Sequence, residues 1–99
     1  MGHIRSPQAV SDLDSIWLYV ASESGSLEIA DRLIDSLTER FLLLARYPNI
    51  GRHRDDDLRP GLRSFPVGEY IILYRLRDDD VLILRVLRGN RNIEALFGR

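Results

Sequence analysis

The chain has 99 residues, 44% of them hydrophobic, and no cysteine, so it is expected to fold as one domain over residues 1–99 without disulfides or a thiolate metal site. The two histidines, His3 and His53, are too few for a protein-only zinc site, no apolar run approaches the roughly 20 residues of a membrane span, and no secretory signal is visible, which together suit a cytoplasmic protein. The formal net charge of -1 hides an asymmetry: all the cations are arginines, four against seven acids in residues 1–51 and ten against eight in residues 52–99, a balance that suits an acidic or polyanionic partner.

His3 to Arg5 reads as a short first strand. Ser6 then offers an N-cap and Pro7 the first helical position, where the missing N–H costs nothing. Ala9, Leu13, Ile16, Trp17 and Val20 recur at helical spacing up to the small-residue turn Ser22 to Gly25. Ser26 caps a second helix, in which Leu27, Ala30, Ile34, Leu37, Phe41 and Leu44 repeat every three or four residues until Pro48 stops it. So short a connection predicts an antiparallel helical hairpin. Three aliphatic and aromatic segments follow, Leu62 to Val67, Glu69 to Arg77 and Val81 to Leu87, and they read as antiparallel strands joined by tight turns. The fold class is therefore α+β, with the two helices on one face of a twisted sheet.

The register of the last hairpin decides which side chains face the helices, because a slip of one residue inverts the strand. A three-residue turn, Asp78-Asp79-Asp80, sets Ile71, Leu73, Arg75, Ile83, Arg85 and Leu87 on the face away from the helices. Ile72, Tyr74, Leu82, Leu84 and Val86 then pack on Leu13, Trp17, Leu37 and Phe41. A two-residue turn drives Arg85 under the helices, where an unpaired guanidinium is costly. The three-residue register is the expectation.

Ala9, Asp12-Leu13, Ile16 and Tyr19, then Tyr47-Pro48-Asn49-Ile50-Gly51, Gly61-Leu62-Arg63, Tyr70 to Tyr74 and Arg85 to Arg91 resemble, in order and spacing, the RelE/ParE toxin superfamily of type II toxin–antitoxin systems. The resemblance covers nearly the whole chain. It implies either of two activities: poisoning of DNA gyrase, on the ParE side, or cleavage of messenger RNA on the ribosome, on the RelE side. The nuclease chemistry needs an acid, a base and several cations around the phosphate. At positions where the resemblance places such groups this chain has Ile71 and Phe97, it has no lysine, and Arg91 alone matches. The ParE side is favoured, a non-catalytic gyrase-binding toxin, with the endoribonuclease as the alternative.

That reading expects Arg63, Arg85, Arg88, Arg91 and Phe97 to form the toxic, target-binding surface. It expects Ile71, Leu73, Arg75, Ile83 and Leu87 to form an open apolar and basic face that a ParD-like antitoxin covers in a hetero-oligomer. Operator DNA would be reached only through that antitoxin, and no cofactor, metal or membrane is expected. His53 reads as a solvated loop histidine, and the aspartates at 55–57 and 78–80 as loop solvation rather than a calcium site, since their spacing is wrong for one.

Overall fold

The computed structural model describes residues 2–89 and 92–97. Strand β1 (His3–Arg5) leads into α1 (Pro7–Ser24) and α2 (Leu27–Arg46), followed by β2 (Arg52–His53), β3 (Arg63–Val67), β4 (Tyr70–Arg77), β5 (Asp80–Arg88) and α3 (Ile93–Phe97). The helix ends are set by local chemistry. The Ser6 and Ser26 hydroxyls accept from the Ala9 and Ile29 amides at 3.0 and 3.2 Å, each satisfying a donor with no partner inside its helix. Gly25 closes α1 at φ 67°, a left-handed conformation that glycine adopts without penalty. The two-residue edge strand β2 and the single-turn α3 are not foreshadowed by the sequence pattern.

The five strands lie in the order β1-β5-β4-β3-β2, with β1 parallel to β5 and the other neighbours antiparallel. The helical hairpin covers one face. Beneath it Ala9, Leu13, Ile16, Leu37, Phe41 and Leu44 meet Val67, Tyr70, Ile72, Tyr74, Val81, Ile83 and Val86. Trp17 is not in this core, contrary to expectation. It sits half-buried between the helices and donates its indole N–H to Asp31 at 2.7 Å, which a polar nitrogen buried under the sheet could not do.

The last hairpin uses both registers considered from the sequence, one in each half. At the tip Arg77 pairs with Asp80 around a two-residue turn whose first residue, Asp78, has φ 54°. Past a β-bulge the pairing becomes Leu73 with Arg85, Ile72 with Val86 and Ile71 with Leu87, as a three-residue turn would set it. Leu84 is the extra residue. The expected face assignments are corrected accordingly: Ile83 lies under the helices, while Leu84 packs on the opposite face beside Leu73 and Leu87. Leu82 is buried but belongs to neither cluster. The bulge is what allows Val81, Ile83 and Val86, which a regular strand would split between its faces, all to enter one core.

Candidate functional site

Among the arginines assigned to the target surface, Arg63 and Arg85 are tied inwards. Arg63 donates to the carbonyls of Asn49 and Gly51 at 3.2 and 3.0 Å, closing the Tyr47 to Gly51 loop. The same loop is held from the sheet by Tyr74, whose hydroxyl accepts from the Gly51 amide at 2.9 Å and donates to the Pro48 carbonyl at 2.8 Å. Arg85 forms a bidentate pair with Asp12 of α1 at 2.8 and 2.9 Å, and that contact holds its pKa above the ordinary arginine value. Arg88 is more open. Its guanidinium stands 5.6 Å from the centre of the Tyr19 ring and 3.7 Å from the Glu69 carboxylate, a cation–π contact at the sheet end. Arg91 and the side chain of Phe97 lie outside the described residues.

The sheet face away from the helices is not open, and this corrects the expected surface. Leu58, Leu62 and Ile93 cover Leu73 and Leu87, with Ile71 and Leu84 at the margin. Leu73 and Leu87 are 0% and 2% exposed. Arg75 remains exposed and makes no ion pair among the described residues, whereas its expected neighbour Arg85 is held by Asp12. Of the five residues assigned to this face, Ile71 and Arg75 still reach the surface there.

The cover is built by the aspartates of the 52–62 connection, which do more than solvate a loop. Arg54 bonds Asp57 through Nε and Nη2 and reaches the buried Ser64 hydroxyl at 3.1 Å. The Arg54 guanidinium lowers the Asp57 pKa, chiefly through these hydrogen bonds. Asp55 accepts from the Gly61 amide at 2.6 Å and lies 3.5 Å from an exposed His53. Together these bonds fold the connection back so that Leu58 and Leu62 drop onto β4 and β5.

A second surface was missed by the sequence reading. Tyr19 and Ile29, each about half exposed, line a groove of about 550 Å³ with Leu33, Arg40, Tyr70 and Arg88, between the helical hairpin and the β3–β4 turn. Its signal in the sequence was the apolar residues standing off the core stripe: Tyr19 in α1 and Ile29 in α2. No helix among the described residues is long and apolar enough to cross a membrane.

Residues 4–93 match the family model described as the ParE toxin of the type II toxin–antitoxin system parDE. The chain belongs to the ParE toxin family. It is 39% identical over its whole length to Toxin ParE3 of Caulobacter vibrioides, covering 98% of that protein, and 31% identical over 81% of its length to Toxin RelE3 of the same organism, covering 85% of it. Its fold is similar to that of a chain in the chromosomal ParDE toxin–antitoxin system from P. aeruginosa, with a TM-score of 0.77 at 24% identity over 89% of this chain and 95% of that one.

Within this ParE fold, Ile71 occupies the margin of the second apolar cluster next to Leu73 and Leu87. A phosphate-binding arginine there would have to emerge between aliphatic side chains. Arg54, Arg63 and Arg85 already hold carboxylates or carbonyls of the chain itself.

Proposed function

We propose that this ParE-family toxin inhibits DNA gyrase by stabilising its complex with cleaved DNA, performs no covalent chemistry of its own, and is neutralised by a ParD-like antitoxin. The commitment of Arg54, Arg63 and Arg85 to internal partners carries this reading: it withdraws three arginines from those that could gather around a scissile phosphate and activate it. Arg88, half-buried and more open than Arg85, is the part of the assigned target surface best placed to meet a large partner. An antitoxin segment with one apolar stripe and flanking carboxylates suits both uncovered surfaces, Ile71 with Arg75 on the sheet and Tyr19 with Ile29 between Arg40 and Arg88.

The likeness to Toxin RelE3 favours the second reading, a ribosome-dependent messenger RNA endoribonuclease. Expression without antitoxin separates the two. Gyrase poisoning gives filamentous cells with an induced DNA-damage response while translation continues. Collapse of protein synthesis within minutes, with codon-specific cuts in ribosome-bound message and intact DNA, would establish the nuclease instead.

A further inference from the structure

Strand β1 stops pairing at Arg5 with Ile83, so the flank of β5 beyond Ile83 has no strand beside it. Backbone groups on that flank still need partners. Two side chains at the start of α1 supply them. The Ser6 hydroxyl, already the helix cap, donates to the Leu84 carbonyl at 2.7 Å, and the Asp12 carboxylate accepts from the Val86 amide at 2.9 Å.

The second bond depends on the bulge. Before it, the Val81 amide and the Ile83 carbonyl point to the β1 flank, bonding Gly2 and Ser6. In an unbroken strand the next residue turned that way would be Arg85, and the Val86 amide would point towards β4. The extra residue Leu84 reverses this phase, so the Asp12–Val86 bond exists only in the bulged register. Arg85 opposes the slipped register by a different route. If the tip register ran on without a bulge, Ile72 would pair with Arg85 and Ile71 with Val86, turning the guanidinium into the core beneath Leu13 and Ile16.

We infer that Asp12 is a positioning residue: its carboxylate locks the bulged register of β5 by accepting from the Val86 amide, and so sets where Arg88 stands at the toxin surface. Its ion pair with Arg85 is secondary to that bond. The functional half of this inference rests on the assignment of Arg88 to the target-binding surface, whereas the register half does not.

The experiment uses the full-length protein in complex with its antitoxin for production and free for measurement. Hydrogen exchange at the Val86 amide is compared in the wild type, D12N and D12L. Asparagine keeps an oxygen for the amide but loses the charge. D12N is expected to retain protection within about threefold, while D12L loses roughly tenfold to a hundredfold, the worth of a hydrogen bond to a charged group. Equal losses in D12N and D12L would overturn the proposal in favour of a simple ion pair, and undiminished protection in D12L would overturn it outright.

Register is read independently with cysteine pairs, which are unambiguous because the chain has no cysteine of its own. I71C/L87C should form a disulfide in the wild-type and D12N backgrounds. In D12L/R85L, which lacks both guards, I71C/V86C should form it instead, with toxicity lost in parallel. Persistence of the native cross-link in that background would refute the lock. Should D12L or D12L/R85L not fold, the D12N exchange decides alone: loss of Val86 protection there contradicts the proposal. A wild-type chain that proved non-toxic would remove the functional half and leave the register measurement standing.

Discussion

Replacement of Gly51 by alanine tests the tie between the Tyr47 to Gly51 loop and the sheet. A Cβ at this position would lie 2.2 Å from the Tyr74 hydroxyl oxygen, 2.6 Å from Cε1 and 2.7 Å from Cζ. Tyr74 cannot step aside cheaply, since it is fully buried among the core residues of β4. Overpacking of this kind costs about 1–3 kcal/mol, and displacing the ring also breaks the bonds to Gly51 and Pro48, at about 1 kcal/mol each. A total of about 3–5 kcal/mol corresponds to a fall in Tm of roughly 15–30 °C for a domain of this size. Circular dichroism melts of the wild type, G51A, Y74F and G51A/Y74F give the required series. Y74F alone should cost less than G51A, because it removes the hydroxyl bonds without a clash. The double variant should recover little of the G51A loss, since two ring carbons still stand within 3 Å of the added methyl group. A G51A protein melting within about 3 °C of wild type would refute the argument.

Further outcomes follow from burial and charge. L73D, which would be a surface change on an open sheet face, should unfold the protein, because the side chain is fully buried beneath Leu58 and Leu62 and a carboxylate there costs several kcal/mol of a stability of about 5–15 kcal/mol; a native-like urea midpoint would show the cover to be absent. R88E should abolish toxicity while leaving the melting curve near wild type, since the contacts of Arg88 with the half-exposed Tyr19 and the exposed Glu69 lie at the protein surface; retained toxicity would remove Arg88 from the target surface. Two groups give opposite pH dependences. Burial, aided by the charge of Arg5, lowers the His3 pKa below 6.5, so its contribution is present above that value and is lost as pH falls through the folded pKa; H3F should flatten this limb. Burial raises the Tyr74 pKa above 10.0, so its contribution is full below pH 10 and is lost as pH rises through the folded value; Y74F should remove that limb.

The fold class was legible because its signals are local: Ser6 and Pro7 start a helix, Gly25 and Ser26 end one and begin the next, and the apolar spacing switches from helical to alternating after residue 61. The register of the last hairpin was legible only in halves. The aspartates at 78–80 permit a two- or a three-residue turn, and the answer depends on Asp12 and Ser6, which bond residues of β5 74 and 78 positions further along the chain. Trp17 lies on the flank of the core stripe, where spacing alone does not distinguish a core residue from one between helices. The covered second face was hidden for a similar reason. Leu58 stands among charged residues with no periodicity, and its burial comes from bonds of Arg54 and Asp55 that fold a polar loop inwards. The list of arginines was readable from charge, but the partners that separate the inward-tied Arg63 and Arg85 from the more open Arg88 are set by tertiary contacts.

The claim that this ParE-family protein is a gyrase poison is tested most directly by incubating purified toxin with DNA gyrase, ATP and supercoiled plasmid, then denaturing the mixture and measuring linear DNA covalently held by the enzyme. The account predicts accumulation of cleaved, gyrase-linked plasmid in proportion to toxin, its loss on adding the antitoxin before the toxin, and its loss with R88E. Plasmid that remains uncleaved and normally supercoiled at toxin excess would contradict it.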